Sequence, residues 1–96
     1  MDQEQIIERI RAHRDRLTEL GVASLSLFGS VARGEATEAS DVDLLVRFEG
    51  RATFDRYMDL KLFLEDLLGR RVDLVTEKAL REEVRPRVEQ ELLRVA

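Results

Sequence analysis

A chain of 96 residues with 44% apolar and 38% charged positions is a single domain, 1–96, that buries only roughly 60–65% of its unfolded surface, so its stability margin is thin. Its formal charge of −4 withholds the basic surface that contacts to nucleic-acid phosphates require, which makes direct DNA binding unexpected. The absence of cysteine rules out disulfide, thiolate and cysteine–zinc chemistry, and a charged, amphipathic start with no run near the roughly 20 apolar residues of a membrane span predicts a cytoplasmic protein.

In chain order, Ile6, Ile10, Leu17 and Leu20 recur at steps of three, four or seven, predicting one helix from residue 2 to about 20, stopped by Gly21. His13 falls on that stripe and is expected to be a partly buried packing residue without a functional role. Ser24 to Phe28 alternates as a strand does and Gly29 ends it. Ser30 to Ser40 is small and polar, the start of a helix followed by a loop. Asp41 to Phe48 is a second strand, with Val42, Leu44, Val46 and Phe48 on one face and Asp41, Asp43, Leu45 and Arg47 on the other. Phe54 to Leu68 returns to helical spacing through Leu60, Phe63, Leu64 and Leu67, with Gly69 as its stop. Arg71 to Val75 is a third strand in which Val72 and Leu74 face the core and Asp73 the opposite side. Leu80, Val84, Val88, Leu92 and Val95 continue at helical spacing, with a separate final helix beginning near Pro86. The order describes one α/β domain with three strands.

The chemistry-bearing pattern is Gly29-Ser30 followed, after ten intervening residues, by Asp41-Val42-Asp43. Aspartate is depleted in strands, so two at i and i+2 inside an apolar run need a reason. Their Cα atoms lie about 6.6 Å apart on one face, where both carboxylates can converge on a cation. Asp73 adds a third carboxylate if its strand is a neighbour. Two carboxylates about 5 Å apart repel by roughly 3 kcal/mol at an effective dielectric of 20, a cost that bound Mg²⁺ removes. Magnesium combines carboxylates with substrate phosphates, so the substrate is expected to bring phosphate. Gly29 and Ser30 supply a glycine that admits close approach and a helix start with unpaired N–H groups, while Arg33 and the backbone of Gly34 are candidates to steady the phosphates. Taken singly, a Gly-Ser is ordinarily a turn and Arg33 a solvated cation; together with three same-face aspartates the pattern points to phosphoryl chemistry.

Gly29-Ser30, Ala32-Arg33-Gly34, Ser40-Asp41, Asp43-Leu44 and Val72-Asp73-Leu74-Val75 resemble the minimal nucleotidyltransferase (MNT) antitoxin family, the small branch of the DNA polymerase beta-like nucleotidyltransferase superfamily. The resemblance covers nearly the whole chain. It implies a small mixed three-stranded sheet with helices on one face and an open catalytic face. It further implies that Asp41 and Asp43 bind two magnesium ions, that Asp73 shares the metal near the acceptor, and that Gly29 and Ser30, with Arg33, Gly34 and Ser40 close by, hold ATP. The activity implied is transfer of AMP from ATP to a hydroxyl, a tyrosine of a partner HEPN-domain ribonuclease toxin, with the two proteins forming a hetero-oligomer. Tyr57, Met58 and Leu62 lie off the main stripe of their helix and are candidates for the partner surface. A non-catalytic antitoxin that acts by occlusion, and nucleotidyl transfer to a small molecule or an RNA end, remain open on the residues alone.

Overall fold

The computed structural model describes residues 2–37, 39–80 and 85–96. Within them the order is α1 (Gln3–Arg11), α2 (Arg14–Glu19), β1 (Val22–Phe28), α3 (Gly29–Ala32), β2 (Val42–Phe48), α4 (Phe54–Leu68), β3 (Val72–Thr76), a 3-10 turn (Glu77–Ala79), α5 (Arg85–Glu91) and β4 (Leu93–Arg94). The strands form one mixed sheet in the order β3-β2-β1-β4. Strand β1 runs antiparallel to β2 and β4, and β2 runs parallel to β3 with α4 as the crossover.

The alternation read from the sequence sets the layers. Val42, Leu44 and Val46 of β2 and Leu25 and Leu27 of β1 are fully buried against Ile6 and Ile10 of α1 and Leu60 and Leu64 of α4. The alternate side chains of β2, Asp43, Leu45 and Arg47, are left on the opposite, more open face. A bulge at Ala23, where the register jumps between Val22↔Phe48 and Ser24↔Arg47, returns Val22 to the core face of β1. The Asp2 carboxylate caps α1 through the Gln5 N–H, and the left-handed Gly69 (φ 63°) closes α4. No helix among the described residues is long and apolar enough to cross a membrane.

Three expectations change. The helix predicted from residue 2 to about 20 is two helices, because the His13 ring takes the Arg9 carbonyl at 2.9 Å in place of the i→i−4 backbone donor, and the His13 N–H closes a tighter turn on Ile10 O. His13 is exposed and meets the Phe63 ring edge-on rather than packing inside. The sheet has four strands, not three. Leu93–Arg94 is too short for alternation to reveal, and Leu92 and Val95 fit a helical stripe equally well. The tertiary partners decide it: β4 pairs with Ser26 and Leu27, Val95 and Ala96 donate to Leu25 O, and the Arg11 guanidinium binds Val95 O and Arg94 O. Of the predicted tail, α5 begins beside Pro86, and Val84 lies outside the described residues.

Because Val95 is 2% exposed and joins the core, Val95→Ala is expected to cost about 2 kcal/mol of stability in urea unfolding. A cost near zero would show that the β4 segment frays in solution.

Candidate active site

Strand β1 ends where β2 and β3 begin. The register pairs Phe28 with Asp43 and Asp43 with Asp73, so these three side chains form one row across the open face, with neighbouring strands roughly 4.8 Å apart. Strand adjacency, on which Asp73 depended, is therefore present. Asp41 stands exposed just ahead of β2, Asp43 is half-buried, and Asp73 is exposed on the edge strand β3. Burial is the main cause that pushes the Asp43 carboxyl up to about 6, and the charges of Asp73 and Asp41 and a hydrogen bond with Asp73 push the same way. Arg33 pulls weakly in the opposite direction. Among the described residues no group of three acidic, histidine or cysteine side chains closes to metal-binding distance. The three carboxylates form a crowded but open set, matched in donor type and charge to a hard divalent cation.

Gly29 opens α3 directly against this row. Its φ is +73°, and a Cβ added there would collide with Asp43 Oδ2 and lie 3.0 Å from Cγ. Glycine is thus needed twice, for the backbone conformation and for the space the carboxylate occupies. Ser30 follows, half-buried. Arg33, the C-cap of α3, donates from Nε to Glu35 at 3.0 Å and from Nη1 to both carboxylate oxygens of Glu91 at 3.1 Å, tying α3 to α5. Those bonds raise its already high pKa. Gly34 has φ +73° with open space around it, and its N–H bonds Val31 O, so it terminates α3. The Ser40 hydroxyl accepts from the Thr37 N–H at 3.0 Å and closes the loop that delivers Asp41. Asp41, Asp43, Asp73 and Gly29 are thus brought together, whereas Gly34 and Ser40 shape the backbone on either side.

The nucleotidyltransferase domain family matches residues 10–95. The chain belongs to that family. A relative named protein adenylyltransferase MntA, from Thermococcus cleftensis, is 42% identical over 96% of this chain and 94% of its own. A solved structure described as a minimal nucleotidyltransferase is 45% identical, with a TM-score of 0.84 over 97% of this chain and 95% of that one. The fold is shared more widely: a chain from the complex of tri-AMPylated Shewanella oneidensis HEPN toxin with MNT antitoxin superposes at a TM-score of 0.69 and 19% identity, over 98% of this chain and 71% of that one.

Several side chains that hold the nucleotidyltransferase row in place carried no sequence signal. Arg70 Nη2 donates to Thr37 O at 2.9 Å and to Ser40 O, pinning the loop before Asp41. Glu65 of α4 accepts the Val72 N–H at 3.0 Å, and the Tyr57 hydroxyl donates to Leu74 O at 2.6 Å, so α4 fixes β3 on both sides of Asp73. Gln3 of α1 donates to Val31 O and Ala32 O at the end of α3. Each acts on backbone groups far away in sequence, and a pattern read along the chain cannot show such partners.

Gly29→Ala is expected to cost at least about 1–2 kcal/mol from the positive φ alone, and to displace Asp43; unchanged urea stability would contradict the close approach. The raised pKa of Asp43 has a definite sign. The folded state holds its proton more tightly than the unfolded chain, so the contribution is fully present below the ordinary value of 3.8 and lost as pH rises through about 6. Asp43→Asn keeps the shape and removes the charge. In buffer free of divalent ions it is expected to match the parent at pH 4 and to exceed it at pH 7.5 by about 1 kcal/mol, well short of full linkage because the carboxyl is half exposed. An Asn variant less stable at pH 7.5 would show that the carboxylate is not strained.

Proposed function

We propose that this nucleotidyltransferase is a protein adenylyltransferase that moves AMP from ATP to a tyrosine hydroxyl of a HEPN-domain ribonuclease toxin, as the antitoxin of such a pair. The observation that carries the reading is the row of Phe28, Asp43 and Asp73, with Gly29 packed directly against the Asp43 carboxylate. On this reading Gly29 belongs to the phosphate-binding turn, Asp43 is a metal-binding carboxylate and Asp73 is the carboxylate on the acceptor side. The names of the relatives support adenylyl transfer and a toxin–antitoxin setting. Asp41 and Asp43, with Asp73 on the acceptor side, are the residues to hold two Mg²⁺ ions, which when bound neutralise phosphate charge and acidify the attacking hydroxyl.

The protein's own part is binding and orientation. Gly29, lacking a side chain, lets the triphosphate approach the backbone, and Ser30 adds a hydroxyl donor. Arg33 lies near enough to Asp43 to affect its charge and is held by Glu35 and Glu91 beside the phosphates' path. The acceptor oxygen forms a bond to the α-phosphorus, the α–β phosphoanhydride bond breaks, and pyrophosphate leaves with the electron pair. An Asp73 oxygen accepts the hydroxyl proton and passes it to solvent. Edge strand β3 leaves the Asp73 side open, which suits an acceptor carried on another protein. Leu62, 58% exposed on α4, remains available to such a partner, whereas the Tyr57 hydroxyl is committed to Leu74 O.

ATP labelled at the α-phosphate, with Mg²⁺ and a HEPN-domain protein encoded beside this chain, is expected to label that protein. Asp41→Ala with Asp43→Ala is expected to reduce labelling at least about 100-fold. No label with folded protein and bound metal would overturn the transferase reading, and full protection from the toxin by the double variant would establish occlusion in its place.

A further inference from the structure

Asp43 and Asp73 are carried by strands, but Asp41 is not. It stands at the end of the connection from Arg33 to Asp41, which has no helix or strand among its described residues. The two peptide groups that flank Asp41 are nevertheless both bonded, and both to the connection between α4 and β3. On the N-terminal side, Ser40 O accepts from Arg70 Nη2, which also donates to Thr37 O at 2.9 Å. On the C-terminal side, the Val42 N–H donates to Arg71 O at 3.0 Å. The turn from Thr37 to Ser40 is closed by its own bonds, from the Ser40 N–H to Thr37 O and from the Thr37 N–H to Ser40 Oγ, each at 3.0 Å. Arg70 grips the carbonyl at each end of that turn, and so holds the turn as a unit.

The base from which Arg70 reaches is itself fixed, because Glu65 spans it. The Glu65 carbonyl accepts the Gly69 N–H at 2.8 Å, its carboxylate accepts the Val72 N–H at 3.0 Å, and Gly69 at φ 63° turns the chain between them. Arg70 and Arg71 therefore leave from a short connection clamped at both ends by one residue, and Asp73 follows within the next strand. Charge is a poor account of the arrangement. The cation that acts on the Asp43 carboxyl is Arg33, whereas Arg70 directs Nη2 at two neutral carbonyl oxygens.

We infer that Arg70 is a positioning residue of the site, tying the loop that bears Asp41 to the strand that bears Asp73 so that the two carboxylates keep one spacing. The inference rests on the functional reading above for the task those carboxylates perform. A loop ordered in advance does not have to be ordered when a cation binds, so the entropy of fixing it does not weaken that binding. Arg70 thus acts on the metal requirement through backbone groups, without touching substrate.

The test reads amide hydrogen exchange by NMR, and the Mg²⁺ dependence of partner labelling, in Arg70→Ala and Arg70→Lys. Lysine keeps the charge but not the planar donor geometry, so it separates carbonyl anchoring from charge and stands in for alanine if that variant fails to fold. Both variants are expected to speed exchange at Ser40 and Val42 at least about tenfold while Leu27 and Val46 exchange as in the parent. Both are expected to require at least about tenfold more Mg²⁺ for half-maximal labelling and to regain the parent's rate at saturating Mg²⁺. Parent-like exchange at Ser40 and Val42, exchange raised equally at Leu27 and Val46, or an unchanged Mg²⁺ requirement overturns the positioning role. An Arg70→Lys variant that matches the parent beside a defective Arg70→Ala shows a charge effect and overturns it too. A parent that labels no partner overturns the transferase reading instead, and exchange alone then decides whether Arg70 orders the loop.

Discussion

The pairing of Asp43 with Asp73 across two parallel strands is the constraint around which the rest of the domain is arranged. Carboxyl groups on neighbouring strands of a small protein repel, and Asp43 registers this as a pKa pushed up to about 6, burial being the larger cause. Such a juxtaposition persists only where the surrounding structure forces it. The force comes from the other face of the same strands, where Val42, Leu44, Val72 and Leu74 are 3% exposed or less. Period-two geometry does not allow those residues to be buried without presenting Asp43 and Asp73 together on the opposite side. The core therefore stabilises a juxtaposition of carboxyl groups that is unfavourable on its own.

The same coupling explains why so short a chain can carry chemistry. The row is built from backbone registers and from one glycine, with few dedicated side-chain contacts. Helices α1 and α4 cover the apolar face, while Gln3, Glu65, Tyr57 and Arg70 bond to backbone groups at the ends of the elements that bear the row. Arg33 at the end of α3 bonds Glu35 in the following loop and Glu91 of α5, and so joins the helix that Gly29 opens to α5. Whatever moves α5 also moves the Arg33 guanidinium, which lies close enough to Asp43 to act on its charge.

How much of this was legible in the chain follows from the range of each interaction. The parity of β2 and β3 was readable because alternation is local and the core enforces it, and it placed Asp41, Asp43 and Asp73 on the open face. The boundaries of α4, Phe54–Leu68, were readable from an apolar stripe and a glycine stop. The break at His13 was hidden because it depends on a ring nitrogen competing for one carbonyl. Strand β4 was hidden because two residues have no period. Arg70 and Glu65 were hidden because their partners are backbone atoms, which have no letter in the sequence. Gly29 was legible as a turn, but its contact with Asp43 Oδ2 became visible only when β1 and β2 were laid side by side.

The crossover helix has a consequence of another kind. Tyr57 near its start and Glu65 near its end both bind the backbone of β3, and Leu60, Leu64 and Leu68 between and beyond them face the core. A helix advances about 100° per residue, so one inserted or deleted residue inside α4 would turn one anchor to solvent while leaving the other in place. Substitutions on its outer face leave this geometry alone. Divergence among proteins built this way should therefore appear as changes of letter within α4 and changes of length on either side of it, which makes the helix the measuring stick that keeps two carboxylates opposite each other.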